Sequence, residues 1–335
     1  MLRCATSISA FALCAAITCT TPTLADVPPP FAALSHDVRT AARHLPAAIG
    51  LDVLDLATGY HTGFNAGKSM PAASTIKVPV MVEVFEDLQY GSFDLNRRVS
   101  IEPGDKDYGS GDLADDPVGE SFSVSELLAK MIDISDNTAT NMLIRLVGRR
   151  NINGRMRDLG LEHTHLTGDV RTDAWSIRQA LRTSPADLVH LLTLMARGEL
   201  VDEWSSNEMI SLLKADQINT LLPEPLPDDV AIAHKTGSLF DTLNDAGIVY
   251  ASDAPYVIAV MTTALPSQDL GRAFIHRISR LAYADEIRFA RWREEMGIAP
   301  AFAPSLTAQP QSRSTDASPD VPYWNDAPPR ELPRR

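Results

Sequence analysis

The chain has 335 residues, 44% of them hydrophobic, which fits one large or two modest globular domains and excludes a fibre or an unfolded polymer. Its formal net charge is −13, and no basic run longer than two residues stands in its body, which argues against nucleic acid as a partner.

Residues 1–25 carry Arg3, an apolar stretch from Ile8 to Ile17 and a small-residue ending at Ala25, the layout of an export leader. Cleavage there starts the mature chain near Asp26 and sends it to the periplasm or beyond. The apolar stretch is shorter than the roughly 20 residues a membrane helix needs, so no stable membrane span is expected. Cys4, Cys14 and Cys19 all lie in the leader, which leaves the mature chain without a disulfide, a thiol nucleophile or a thiolate ligand.

After the leader, Phe31, Leu34, Val38 and Ala41 recur at helical spacing, and residues 48–64 alternate as two strands around Thr58-Gly59. From about Ser74 to Lys214 the pattern is mostly helical, with Ser123 and Glu126 forming a capping box ahead of Leu127, Leu128, Met131 and Ile132. Strands return in "VAIAHKTGSL", "NDAGIVYAS" and "PYVIAVMTT", and a last helix carries Phe274, Ile275, Ile278 and Leu281 on one face. Strands at both ends of a helical middle predict an α+β fold. Its antiparallel sheet draws on distant parts of the chain, the helical segment (about 70–215) is inserted as a second lobe, and the site lies at the seam. The domain is expected over residues 26–297. Residues 298–335, rich in Pro, Ser and Arg, show no periodicity and read as a tail.

Three short words carry chemistry. In "MPAASTIKVPV", Ser74 and Lys77 share one helix face, so the amine can activate the hydroxyl, while free N–H groups at a helix start can stabilise an oxyanion. The spacing alone is weak, because Ser211 and Lys214 repeat it in mid-helix. In "DISDNTATNMLI", the bend at Ser135-Asp136-Asn137 can push a hydroxyl and an amide into a cleft, or Asn137 can simply cap the next helix. In "AHKTGSL", Gly237 permits a close backbone approach, and Lys235 and Thr236 can bind a carboxylate.

Together and in this order they match the S-x-x-K, S-D-N and K-T-G set of penicillin-recognising serine enzymes. With the flanking words "YGSGDL", "SELLAKMIDISDNTATNMLI" and "HKTGSLFDTLNDAGIVY", residues 31–290 resemble class A serine β-lactamases and their relatives. The resemblance implies a five-stranded antiparallel sheet flanked by helices plus an all-helical lobe. It also implies that Ser74 attacks the lactam carbonyl, Lys77 takes its proton, and the N–H groups of Ser74 and Ser238 form the oxyanion hole. Ser135 would pass a proton to the leaving nitrogen, Asn137 would bind the acylamide side chain, and Lys235 with Thr236 would hold the substrate carboxylate. No cofactor or metal is implied. His163 and His165 with Asp169 lack the ligand set a zinc enzyme needs. His234 reads as a strand residue, and Trp175, Tyr108 and Phe240 are candidates for pocket walls.

The chain departs from class A enzymes at the glutamate that activates the deacylating water. Val170 falls near its place, and the nearest carboxylates are Asp169 and Asp173, with Glu162 too early. Asp169 is therefore the candidate deacylation base, with Lys77 serving both half-reactions as the other route. The expected activity is β-lactam hydrolysis by a monomer through a Ser74 acyl-enzyme. A D-alanyl-D-alanine peptidase acting on peptidoglycan peptides and a non-catalytic penicillin- or peptidoglycan-binding module are the alternatives.

Overall fold

The computed structural model describes residues 28–172 and 177–300. The expected leader with its three cysteines, residues 301–335 of the expected tail, and Asp173 and Trp175 lie outside the described residues.

Helix α1 (Pro29–Arg43) buries Phe31, Leu34, Val38 and Ala41, the spacing that predicted it. Strands β1 (Ala48–Asp55) and β2 (His61–Phe64) follow around a turn in which the Asp55 carboxylate accepts hydrogen bonds from Thr58 N at 2.7 Å and Thr58 Oγ1 at 2.5 Å. Gly59 takes the left-handed conformation there, with φ of 77°, which a side chain would resist. The middle of the chain runs through β3 (Met70–Pro71), α2 (Lys77–Gln89), β4 (Arg98–Ser100), β5 (Ser121–Ser123), α3 (Val124–Asp133) and α4 (Asn137–Val147). It continues through α5 (Arg149–Asp158), β6 (His165–Leu166), α6 (Ile177–Ala180), β7 (Leu181–Thr183), α7 (Pro185–Ala196) and α8 (Glu203–Lys214). Strands β8 (Ala231–Leu239), β9 (Thr242–Tyr250) and β10 (Tyr256–Thr263) and the long helix α9 (Gln268–Glu295) complete the described fold.

The predicted helical span is broken by short strands. β4 pairs with β5, and β7 sits between β3 and β6. Two or three residues carry no readable period, so these pairings come from tertiary contact alone. Among the predicted details, the capping box at the start of α3 is present: Glu126 N donates to Ser123 Oγ at 3.2 Å and Ser123 N to Glu126 Oε2 at 2.6 Å.

The large sheet has the order β2-β1-β10-β9-β8, every neighbouring pair antiparallel. Its side chains alternate between two cores. From β10, Val257, Ala259 and Met261 join Val80 and Met81 of α2 and Leu188 and Leu191 of α7. On the opposite face Tyr256, Ile258 and Val260 join Leu34 and Val38 of α1 and Phe274 and Ile278 of α9. Helices therefore cover both faces, and the edge strand β8 is left to meet the turn that carries Ser74. Among the described residues no helix is long and apolar enough to cross a membrane.

The α9 face of the sheet holds one expensive group. Glu286 is 1% exposed and neither carboxyl oxygen has a hydrogen-bond partner among the described residues. Burial, and secondarily the Asp55 carboxylate, push its pKa well above the ordinary 4.5. Above pH 4.5 the unfolded chain releases this proton while the folded chain retains it, so the group costs stability as pH rises. Glu286→Gln should therefore raise the melting temperature at neutral pH, and the gain should shrink as the pH falls below 4.5 in thermal melts across pH. A gain independent of pH would contradict the titration account.

Candidate active site

Ser74 lies in a short 3₁₀ turn, Ala73–Ile76, that runs directly into α2. The turn is pinned at its entrance: Asn244 Nδ2, from the interior of β9, donates to the carbonyls of Pro71 at 2.9 Å and Ala72 at 3.0 Å. Ala73 is held at φ of 50°, an unfavourable value for a residue with a Cβ. Strand β8 then approaches closely. A Cβ added to Gly237 would stand 2.9 Å from the Ala72 carbonyl oxygen and 3.1 Å from Ser74 N, so the expected close approach exists and only glycine permits it.

Lys77, one turn after Ser74, is wholly buried. Its Nζ lies 2.5 Å from Ser135 O, 2.9 Å from Ser135 Oγ and 2.8 Å from Asn137 Oδ1: the ammonium donates to all three, and the neutral amine donates to the carbonyl and amide oxygens and accepts from the Ser135 hydroxyl. These bonds run to Ser135 and Asn137, both of which line the cleft while Lys77 does not. Burial first, and then the positive charge of Lys235, hold the Lys77 pKa well below the ordinary lysine value, while Asp136, Asp107 and Asp216 only partly oppose this.

The bend between α3 and α4 supplies the cradle. Ser135 has φ of 58°, which brings both its carbonyl and its hydroxyl to Lys77. The alternative reading of Asn137 as a helix cap is corrected: Asp136 is the cap, its Oδ1 accepting from Ala139 N at 2.7 Å. The other oxygen of Asp136 accepts from Asp112 N at 2.7 Å and Leu113 N at 2.8 Å, and a Cβ on Gly111 would collide with this carboxylate. That explains the second glycine of "YGSGDL". Freed from capping, Asn137 links Lys77 to Asp107, whose Oδ1 accepts from Asn137 Nδ2 at 2.8 Å.

Lys235 is also fully buried, but with a carboxylate: its Nζ lies 2.9 Å from Asp216 Oδ2. Neither lysine lines the cleft, whereas Thr236, Gly237 and Ser238 do. His234 is a strand residue as expected, with Nδ1 2.9 Å from Asp245 Oδ1. Although burial works against its charge, the Asp245 carboxylate raises its pKa.

Ser74, Ser135, Asn137, Thr236, Gly237 and Ser238 thus border one cleft of about 800 Å³, with Phe240 and Arg272 also on its wall. Phe240 and Tyr108 are strongly exposed, at 97% and 73%. The far wall comes from the loop between β6 and β7, closed at its neck by Thr167 N donating to Ala180 O at 2.8 Å. Val170 and Thr172 of that loop line the cleft, and Asn141 fixes Val170 by bonding both its N, at 2.8 Å, and its O, at 3.0 Å.

Asp169 does not join them. Its carboxylate is ion-paired with Arg149 at 2.5 Å and Arg171 at 3.5 Å, which satisfies it outside the cleft lining. No aspartate or glutamate lines the cleft among the described residues, and no group of three His, Cys, Asp or Glu side chains there could hold a metal. The idle pair is also accounted for: Ser211 Oγ donates to Asn207 O at 2.9 Å, and Lys214 lies over the Tyr250 ring.

Asp107, Asp216, Asn244 and Thr172 were not singled out from the sequence. Only Asn244, a polar residue in the interior of an apolar strand, carried a signal that could have found it.

A family model described as "Beta-lactamase enzyme family" matches residues 33–285. Among curated relatives, β-lactamase CARB-3 of Pseudomonas aeruginosa is 24% identical over 69% of this chain and 82% of its own. A β-lactamase of Kitasatospora aureofaciens is 28% identical over 69% and 77%. A structure of PBP-A superposes with a TM-score of 0.72 at 30% identity over 76% of this chain and 96% of that one. A β-lactamase from Sphaerobacter thermophilus superposes at 0.71 and 27%, over 76% and 97%.

Two variants test this geometry. Gly237→Ala forces β8 away from Ser74 N and should slow acylation by a penicillin on the order of 10²-fold, the usual cost of a lost oxyanion donor; an unchanged rate in stopped-flow assays would show that the two segments separate freely. Asp169→Asn should leave the lifetime of any acyl-enzyme unchanged, and a clear increase in adduct lifetime by intact mass would return that residue to the role of base.

Proposed function

The chain belongs to the Beta-lactamase enzyme family, and on that premise we propose that it is a serine hydrolase that opens the β-lactam amide through an acyl-enzyme on Ser74. The observation that carries this reading is the Lys77 amine, buried one turn from Ser74 and cradled by Ser135 and Asn137. Its depressed pKa makes the neutral, proton-accepting form more accessible than in an ordinary lysine.

In the proposed cycle Ser74 Oγ attacks the lactam carbonyl carbon and its proton passes to Lys77. The N–H groups of Ser74 and Ser238 receive the developing oxyanion, as the close passage of β8 over the turn favours. When the C–N bond breaks, Ser135 hands the proton held by Lys77 to the leaving nitrogen, and the ester remains on Ser74. Thr236, backed by the charge of Lys235, and Ser238 receive the substrate carboxylate. We assign the activity to a monomer outside the cytoplasm, supported by the leader pattern of residues 1–25.

A second reading, a penicillin-binding D-alanyl-D-alanine peptidase, is favoured by a specific observation: the apolar Val170 stands on the cleft wall and no carboxylate accompanies it among the described residues. PBP-A, a structural relative, has also been captured as a leucine-to-glutamate variant in an acyl-enzyme complex with penicillin G, at 29% identity and a TM-score of 0.72. Both readings share acylation and differ in how fast the ester is released.

The test follows intact mass and lactam absorbance together after mixing mature protein with a penicillin. Rapid lactam loss, abolished in Ser74→Ala, is the expected result; a long-lived adduct favours the peptidase, and neither adduct nor lactam loss overturns both. The acylation rate should fall on acidification as Lys77 gains a proton, and should already be on its plateau well below the ordinary lysine value of 10.5. A rate still climbing up to that value would remove Lys77 as the base.

A further inference from the structure

The described cleft lining offers no carboxylate to a hydrolytic water, yet Thr172 presents a hydroxyl with unusual backing. Thr172 N donates to Asp107 Oδ2 at 2.8 Å, and Thr172 Oγ1 lies 2.9 Å from Asp107 Oδ1 and 3.1 Å from Oδ2. A hydroxyl has one hydrogen, and here the carboxylate takes it. The oxygen is then left with acceptor lone pairs only, polarised by a negative charge, on a residue that lines the cleft with Ser74 and Ser135.

Asp107 is built to stay charged. Burial opposes ionisation, but hydrogen bonds from Thr172 N, Asn137 Nδ2, Gly109 N and the Thr172 hydroxyl outweigh it and lower its pKa. It does not line this cleft itself, so its charge reaches the cleft through Thr172. The hydroxyl is also held in place from the other side: a Cβ on Gly109 would collide with the Thr172 side chain. Arg171 Nη1, next in the loop, donates to Lys106 O at 2.9 Å. The loop is thus stitched to the 104–109 segment on either side of this contact, the rigid support that positioning of a reactive group requires.

We propose that Thr172, held and polarised by Asp107, is the residue that positions the water releasing the acyl group from Ser74; this rests on the acyl-enzyme reading above. The water donates one hydrogen to Thr172 Oγ1, which turns its oxygen lone pair toward the ester carbonyl. As that oxygen attacks, its other proton passes to Ser135 Oγ, which gives its own hydrogen to the neutral Lys77 amine 2.9 Å away. The tetrahedral adduct collapses with cleavage of the carbonyl carbon–Ser74 Oγ bond, and Lys77 returns the proton to Ser74 Oγ. One water is consumed, one carboxylic acid leaves, and both Lys77 and Ser74 end as they began. Asp107 is a positioning residue, since it acts only through Thr172.

Thr172→Val keeps the side-chain shape and the backbone bond to Asp107 while deleting the acceptor. With a penicillin that forms an adduct on the wild-type protein, acylation should stay within about threefold, while adduct lifetime by intact mass lengthens by about 10²-fold, the scale of a misplaced reacting group. Thr172→Ser, which keeps the hydroxyl, should restore wild-type release. An unchanged lifetime in Thr172→Val overturns the proposal, as does a fall in acylation and release together that serine does not rescue, the mark of a merely structural role. Absence of both adduct and lactam loss on the wild-type protein overturns the acyl-enzyme reading itself and the proposal with it, an outcome distinct from the other two.

Discussion

An amine held in the dry interior without a carboxylate against it is the constraint on which the site depends. Lys77 Nζ is completely buried and touches a carbonyl, a hydroxyl and an amide oxygen. A direct ion pair would have stabilised its charge and kept it protonated, with no lone pair free to take a proton. The contrast lies close by: Lys235, equally buried, has Asp216 at 2.9 Å. One lysine is thereby ion-paired, and its field helps lower the pKa of the other. Two residues of one type receive different tasks because one carboxylate is placed beside only one of them.

Keeping Lys77 neutral enough to act requires neutral acceptors in the right places, and the backbone is strained to provide them. Ser135 at φ of 58° presents two oxygens to a single amine, and Ala73 at φ of 50° places Ser74 at the mouth of α2. Such conformations cost on the order of 1–3 kcal/mol each and persist only when neighbours over-determine them. Here the neighbours are identifiable. Asp136 caps α4 and binds the 112–113 backbone, locking the bend, while Asn244 grips the chain at Pro71 and Ala72. The stability of both restraints comes from elements remote in sequence, which ties the site's geometry to the integrity of the whole sheet.

What could be read from the chain beforehand divides along the same line. Elements with a period were legible: α1 from Phe31, Leu34, Val38 and Ala41, the five strands of the large sheet from alternating or apolar runs, and the start of α3 from Ser123 and Glu126. The three motif words were legible because each is local, although their meaning came from their joint order. The support was not. Asp107 meets Thr172 across 65 positions, and Asn244 reaches Ala72 across 172, with no spacing rule to relate them. Asp136 and Asn137 illustrate a finer limit: adjacent residues with equal capping ability exchange roles according to which side chain the interior needs. Asp169 shows the same limit, since its ion pair with Arg149, one helix away, carries no signal in the loop's own sequence.

The electrostatic character of the cleft follows from these placements. The chain carries a formal charge of −13, yet the described cleft wall bears Arg272 and no acidic side chain. An arginine on a wall without carboxylates favours anions at that point of an otherwise acidic surface. Entry of an anionic acyl donor and stabilisation of its oxyanion both gain from that field. Release gains less, because an attacking water needs an acceptor for its hydrogens. One negative charge, Asp107, has been set one hydroxyl behind the wall. On the proposed acyl-enzyme reading the site is thus biased toward forming the ester, and the rate of its return to free serine would rest on how much of that charge Thr172 conveys into the cleft.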